Sequence, residues 1–386
     1  MTALKTIRTP EPIQFIDLQK QQARIRTKID ARIKAVLDHG AYIMGPEVGE
    51  FEAALSSFCG AKHSISCANG TDALGLILMA KNVGPGDAVF VPTFTFAATA
   101  EVVAWVGATP IFIDSDPDTF NMDPASLDAG IQRAKELGLK PTCVIPVDLF
   151  GLPVDFDVIA KTAEEHNLWI LDDAAQGFGG VYKEKTVGNV AYVTATSFFP
   201  AKPLGCYGDG GGIFTNDDAL AETIKSLRIH GKGTDKYDNV LIGMNGRMDT
   251  LQAAILIEKL ALFPEEIILR NQVAKRYNEG LGDVVKVPGF FEGYTSTWAQ
   301  YTLTLSKGMD RDLIVETLKK QGIPTAVYYP KPLHQQTAYK HYPTATASLS
   351  VAEELAGRVL SLPMHPYLTE AEQDGIIQAV REAIRG

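Results

Sequence analysis

Residues 143–176 read CVIPVDLFGLPVDFDVIAKTAEEHNLWILDDAAQ. The two outer runs, CVIPVDLFG and LWILDDAAQ, are nearly continuous in apolar residues, as strands buried on both faces are. Between them DFDVIAKTAEEHN repeats its apolar positions at three and four, the period of one helix face. A strand, a helix and a strand in that order form one crossover between parallel strands. The same alternation extends outward from about residue 60 to 217. The further strand-like runs are HSISCA, AVFVPTFT, TPIFIDSD, YVTATSFF and GGIFTND, and DALGLILMAKNV and AATAEVVAWVG are further helical segments. The reading is therefore an α/β fold, a mostly parallel sheet wrapped by helices. In such sheets ligands bind outside the carboxyl ends of the strands.

Beyond residue 250 the pattern changes. TLQAAILIEKLALFPEEIILRNQVAKRYNEGL reads as a long helical stretch interrupted at Pro264. AQYTLTLS, DRDLIVETLKKQG, PTAVYYPKPLHQQ and EAEQDGIIQAVREAI then read as a smaller α+β domain. With 386 residues the chain exceeds one ordinary core. The expected division is a large domain over 1–264 and a small C-terminal domain over 265–386.

Composition narrows the function. The chain is 46% hydrophobic and 21% charged, as globular proteins are, and its net charge of −10 opposes a nucleic-acid partner. Cys59, Cys67, Cys143 and Cys206 have no C-x-x-C spacing and no histidine pair beside them, so neither metal nor disulfide framework is expected. The absence of a signal-like N-terminus and of any eighteen-residue apolar run leads to an expectation of a cytoplasmic protein with no membrane partner.

Three strand exits carry polar residues. After HSISCA come Asn69, Gly70 and Thr71 at the start of a helix, where free N–H groups and a hydroxyl favour a phosphate; a plain helix cap is the simpler alternative. After LWIL come Asp172 and Asp173, with Gln176 beyond, and alternation lets only one aspartate face a given ligand; a turn cap is the alternative here. After YVTATSFF comes PAKPLGCYGDGGG, in which Pro200 and Pro203 stiffen the chain around Lys202 and the glycines allow close turns. Each exit has a bland explanation when taken alone. Together, a phosphate site, a carboxylate and a constrained lysine are the parts that hold pyridoxal 5′-phosphate. Lys202 is then the Schiff-base lysine. A unit-charge pair about 4 Å apart is worth about 4 kcal/mol at an effective dielectric of 20, equivalent to roughly three pKa units. An aspartate can thus keep a pyridine nitrogen protonated at neutral pH.

The motifs NGTDAL, PTFTFAATA, DDAAQGFGG, SFFPAKPLGCYGDGGG and MNGRMDTLQAA, in this order, resemble the DegT-type nucleotide-sugar aminotransferases, and the resemblance extends from FIDLQKQQARI to SLPMHPYL. It implies the fold-type I, aspartate aminotransferase-like architecture. It also implies that Lys202 and Asp173 are catalytic, with Asp173 at the pyridine nitrogen. Gln176 would contact the ring hydroxyl region and Phe96 would stack on the ring. Gly70, Thr71 and Ser197 would bind the phosphate, and Asn245 would reach it from the neighbouring subunit, so a homodimer with shared sites is implied. The activity implied is transfer of an amino group from an amino acid, glutamate in the family, to a nucleotide-linked keto-sugar. The runs around Lys202, Arg247 and SLPMHPYL are most similar to the branch that aminates UDP-2-acetamido-2-deoxy-3-oxo-glucuronate for surface polysaccharides such as O-antigen. Arg247 is the candidate for a substrate carboxylate, or else for an intersubunit salt bridge. Tyr328 stands where that branch commonly has histidine, whereas Tyr329 fits, and both are expected to line the substrate site. A neutral 3- or 4-keto-6-deoxy sugar is the alternative substrate, and a non-catalytic cofactor-binding sensor is the alternative class.

Overall fold

The computed structural model describes residues 12–235 and 237–385. Five strands and six helices come first: β1 (His63–Cys67), β2 (Asp87–Pro92), β3 (Thr109–Ile113), β4 (Lys140–Val144) and β5 (Trp169–Asp173), with α1 (Leu18–His39), α2 (Pro46–Cys59), α3 (Gly70–Ala80), α4 (Ala98–Trp105), α5 (Pro124–Glu136) and α6 (Phe156–Glu165). The two-residue strands β6 (Val181–Tyr182) and β7 (Lys185–Thr186) precede β8 (Val193–Ser197), β9 (Gly211–Thr215), α7 (Asp218–Leu227) and α8 (Thr250–Leu281). The remainder comprises β10 (Tyr294–Thr295), β11 (Tyr301–Thr304), α9 (Arg311–Lys320), α10 (Ser350–Arg358), β12 (Val359–Leu362) and α11 (Glu370–Arg385).

The seven apolar runs of the sequence are the seven strands of the main sheet, ordered β1-β9-β8-β5-β4-β2-β3. All neighbours are parallel except β9, which pairs antiparallel with both β1 and β8. Burial explains the near-continuous hydrophobicity. Val89, Phe90, Val91, Ile111, Phe112, Ile113, Leu171 and Ile213 are fully buried, with helices on both faces. The order puts β5 in the middle, so its exit, at Asp173, is flanked by the exits of β8 and β4.

One face of the sheet meets α8 through aromatic rings. Phe178, five residues past Asp173, lies parallel to Phe214 at 4.8 Å and to Phe263 of α8 at 6.3 Å. Gly179, at φ +88°, is required there, because a Cβ on it would lie 2.4 Å from the Phe263 ring. That contact explains the GFGG spelling of the turn after β5.

Helix α8 corrects one expectation. It runs unbroken for 32 residues through Pro264, where an interruption was expected. Pro264 is exposed while Phe263, Glu266 and Ile267 on either side of it are buried, and packing against α1 and α2 holds the helix through the missing bond. Ala253, Leu256, Leu260, Phe263 and Ile267 of α8 belong to the core beneath the main sheet. Val273, Ala274, Tyr277 and Leu281 belong to a second core with β11, β12, α9 and α11. The helix is thus one rigid rod shared by both cores. Residues Leu333, Ala345 and Leu349 return to the main-sheet core, and Ala352, Leu355 and Val359 pack with Phe94, Phe120 and Leu149, so the C-terminal part is stitched to the first beyond α8.

Among the described residues no helix is long and apolar enough to cross a membrane, and no cluster could hold a metal ion.

His365, after β12, is 2% exposed and accepts the Tyr367 N–H at Nδ1. Burial, with Arg270 nearby, lowers its pKa to about 4, against weaker support for the charged form from Asp17 and Glu372. The unfolded chain therefore binds a proton that the native chain refuses, and stability is lost as pH falls from about 6.5 towards about 4. The loss should be on the order of 3 kcal/mol across that window. Urea midpoints measured through it should fall more steeply for the wild type than for His365→Asn, whose carbonyl can still accept from Tyr367.

Candidate active site

The site is built on the exits of β1, β2, β5 and β8. At the β5 exit Asp173 is buried and accepts two bonds, from the Thr99 hydroxyl at 2.8 Å and from the Ala175 N–H at 3.2 Å. Burial raises its pKa above the usual carboxylate value, and those two donors and the charge of Lys202 oppose the rise. Asp172 points to the other face, where it is fully buried and accepts from Thr194 at 3.2 Å. Of the two aspartates, it is Asp173 that shares a region with Lys202.

Lys202 is held by backbone geometry. Its N–H donates to the Phe199 carbonyl at 2.8 Å, the Cys206 N–H donates to the Phe198 carbonyl at 2.8 Å, and the Phe198 N–H donates to the Gly210 carbonyl at 2.7 Å. Gly205 closes the loop, since a Cβ there would sit 2.5 Å from the Phe199 carbonyl oxygen. The Nζ atom makes no hydrogen bond among the described residues. Burial pulls its pKa below the ordinary lysine value, with the Asp173 charge opposing. The arrangement therefore presents a lysine with increased free-amine character, opposite a buried acid.

The third part is a concave backbone at the start of α3. Asn69 caps the helix by accepting the Asp72 N–H at 2.8 Å, so the cap reading of this exit holds. The cap leaves the first helical N–H groups, at Gly70 and Thr71, as open donors at the positive helix end. Gly70 lies so close to Ser197 that a Cβ on it would be 2.7 Å from the serine Cβ. Gly211, paired with both Cys67 and Ser197, approaches Asn69 just as closely. Two glycines and a serine thus form a cradle that side chains would fill. A phosphate fits this chemistry.

Gln176 is fixed at both ends. Its Oε1 accepts the Phe150 N–H at 2.7 Å and its Nε2 donates to the Tyr329 hydroxyl at 3.2 Å. Thr297 also donates to its carbonyl at 2.6 Å, so this position joins the two cores. Tyr328, beside it, is half-buried against Phe15, with ring centroids 6.4 Å apart. Phe96, just past β2, is 57% exposed and is not a core aromatic.

Asn245 and Arg247 lie in the segment entering α8. Arg247 donates to Asn245 Oδ1 from Nε at 3.0 Å and from Nη2 at 2.7 Å. The Ala68 N–H bonds to the Gly246 carbonyl at 2.9 Å, which ties the segment to the β1 exit. Arg247 also lines an open cleft of about 1020 Å³ with His230, Lys232, Ile43 and Met44. Neither residue bonds to the group around Lys202.

Sequence reading missed Thr99, the strongest partner of Asp173, and the Phe150 N–H that orients Gln176. Both are local-looking residues whose partners lie 74 and 26 positions away, so no short-range spacing marks them.

The comparisons with known proteins agree with this geometry. The family model described as the DegT/DnrJ/EryC1/StrS aminotransferase family matches residues 23–381. The chain is 49% identical over 360 residues to the UDP-2-acetamido-2-deoxy-3-oxo-D-glucuronate aminotransferase of Pseudomonas aeruginosa, covering 93% of this chain and 97% of that one. The crystal structure of a DegT DnrJ EryC1 StrS aminotransferase from Brucella abortus superposes with a TM-score of 0.94 at 54% identity, over 96% of this chain and 99% of that one. NtdA from Bacillus subtilis, with bound cofactor PMP, superposes with a TM-score of 0.86 at 29% identity, over 96% of this chain and 83% of that one. With the strand order, the lysine loop and the glycine cradle, these matches place the chain in the DegT/DnrJ/EryC1/StrS aminotransferase family.

Proposed function

We propose that this chain is a pyridoxal-phosphate-dependent transaminase that moves an amino group from an amino acid, glutamate as the first candidate, to UDP-2-acetamido-2-deoxy-3-oxo-glucuronate for surface polysaccharide synthesis. The observation that carries the reading is the unpartnered Lys202 opposite the buried Asp173, beside the Gly70–Ser197 cradle. The choice of sugar is supported by the Pseudomonas aeruginosa relative. The exchange balances as amino acid plus keto-sugar giving 2-oxoacid plus amino-sugar.

Pyridoxal phosphate supplies an aldehyde that captures amines and a ring that draws electrons from the adjacent carbon. Asp173 holds a proton at the ring nitrogen, and a cation there draws the carboxyl back into the ionised range. Lys202 Nζ takes the proton from the Cα of the amino acid, and in the second half-reaction it delivers a proton to the sugar carbon that receives nitrogen. Burial suits it to this work, because it lowers the cost of the free amine. Gly70, Thr71 and Ser197 bind the phosphate. Gln176 and Phe96 border the ring, and Tyr328 and Tyr329 line the sugar side.

The active form is a homodimer in which Asn245 completes the phosphate site of the other subunit. Support comes from the apolar surface around the Arg247 cleft, where Ile43, Met44, Val240, Leu241 and Ile242 are exposed, Ile242 to 92%. Such a patch is more than a soluble surface usually leaves bare. Arg247 is assigned to the substrate carboxylate, which its planar fork matches. The four cysteines are all buried and unpaired, which supports a reducing, cytoplasmic setting.

Borohydride reduction of the isolated protein should fix the cofactor to the peptide containing Lys202, and mass mapping should find it there; fixation at another lysine overturns the assignment. Mixing inactive Lys202→Ala subunits with inactive Asn245→Ala subunits should restore part of the activity once subunits exchange, as one intact site forms in each mixed dimer. Continued inactivity after demonstrated exchange would show that sites are not shared. The wild type should prefer the keto-uronate over the same nucleotide keto-sugar with a hydroxymethyl group, and Arg247→Met should lose at least about tenfold of that preference in kcat/KM, a charge-assisted contact being worth about 1.5–3 kcal/mol. No preference in the wild type removes the uronate and favours a neutral sugar.

A further inference from the structure

Two buried hydroxyls connect the exit of β2 to Asp173. Thr99, in the first turn of α4, donates to Asp173 Oδ2 at 2.8 Å. A helical threonine can instead donate to a carbonyl three or four residues back; this one reaches across to β5. Its single hydrogen is thereby used, so in the 3.3 Å contact between the Thr95 and Thr99 hydroxyls it is Thr95 that donates. Both threonines are buried. The segment carrying Thr95 is itself fixed: the Thr93 N–H donates to the Ile113 carbonyl at 2.9 Å, and the Thr93 carbonyl accepts the Leu333 N–H at 2.9 Å. Phe94 meets Phe150 and Tyr329 edge-on, with centroids 6.4 and 6.1 Å apart. The other carboxyl oxygen of Asp173, Oδ1, takes the Ala175 N–H at 3.2 Å. One donor on each oxygen holds the carboxyl in a single orientation and leaves it able to accept once more.

We infer that Thr99, with Thr95 behind it, is the positioning residue that keeps Asp173 ionised and aimed while Lys202 is occupied with the chemistry. The inference rests on the reading of Asp173 as the partner of the ring nitrogen. Lys202 is the cation that acts on Asp173, but its charge is lost whenever its amine holds the cofactor or stands ready to take a proton. The Thr99 hydroxyl and the Ala175 N–H remain in place throughout. Donors to a carboxylate favour its charged form, and so they leave the proton shared with the ring on the nitrogen. With Thr99 replaced by an apolar residue, Oδ2 would lose its donor in a buried place, and the shared proton would move towards the carboxyl. Thr95 adds to the effect by polarising the Thr99 hydroxyl, as successive hydrogen bonds in a chain do. The titratable groups acting around Asp173 are Lys202, Asp148, Asp172 and Tyr329. None of them is altered by a change at Thr99 or Thr95.

Binding of pyridoxal phosphate to the full-length protein freed of cofactor, measured by absorbance titration at a series of pH values, tests this. The protonated ring binds the ionised carboxyl, so affinity falls on the acid side as Asp173 takes up a proton. Losing a donor raises the proton affinity of the carboxyl, and the acid limb should therefore lie at least about one pH unit higher in Thr99→Val than in the wild type. Thr99→Ser keeps the hydroxyl and should return the limb to the wild-type position, and Thr95→Val should move it in the same direction as Thr99→Val but less far. In the amino-acid half-reaction Thr99→Val should lower the rate at saturating donor by at least about tenfold, with the half-saturating concentration unchanged. A merely structural role would weaken binding equally at every pH and leave the limb where it was. Limbs that coincide in wild type and Thr99→Val, no limb in either, or a serine variant displaced as far as the valine one overturns the inference. Should Thr99→Val fail to fold, Thr99→Ala set against Thr99→Ser makes the same comparison. Asp173→Asn separates the two readings. If the limb persists in it, the ring-nitrogen role of Asp173 fails and the inference falls with it; if Asp173→Asn removes a limb that Thr99→Val leaves in place, the inference about Thr99 alone is wrong.

Discussion

A carboxyl buried at the exit of the central strand must be compensated, and most of this site is arranged around that need. Asp173 is the last residue of β5, in the middle of seven strands, where water cannot reach it freely. The chain supplies its compensation from three places: a hydroxyl on α4, a backbone N–H just after β5, and a lysine on the loop after β8. Remove the burial and none of these would be selective, because water would solvate the carboxylate equally well. The same burial that raises the pKa of Asp173 lowers that of Lys202, so one low-dielectric edge tunes acid and base in opposite directions.

Close backbone approach is the second organising feature. Gly70 against Ser197, Gly211 against Asn69, and Gly205 against Phe199 bring the exits of β1 and β8 and the start of β9 within reach of one small anion and one amine. A methyl group at any of them would push the elements apart. Behind the edge, Gly179 permits the Phe214–Phe178–Phe263 stack, which fastens the turn after β5 to α8. As α8 belongs to both cores and Thr297 bonds to Gln176, the small C-terminal core is mechanically coupled to the site.

Asn245 and Arg247 show the limit of a single chain. They hydrogen-bond to each other on a segment that follows the exposed apolar residues Val240, Leu241 and Ile242, and neither bonds to Lys202. Such a segment makes sense if another copy covers it, and a site completed in that way shares its residues between subunits.

The strands, the alternation, the parallel sheet and the three polar exits were all determined by sequence alone, because each is a local pattern of period, propensity and turn chemistry. Lys202, the Asp172–Asp173 pair and the Asn69–Thr71 helix start stood out for the same reason, since they sit at strand ends, which sequence can place, whereas Ser197 and the preference for Asp173 came from the family resemblance. What only the tertiary structure decided involves contacts between distant segments. It put the Asp173 carboxyl on Thr99 and the Asp172 carboxyl on Thr194, brought Phe150 to Gln176, carried α8 through Pro264, and buried Asp148 against Gly177. Those outcomes depend on which side chains end up facing each other once the sheet order is set, and on how much water is left between them, neither of which any local spacing encodes.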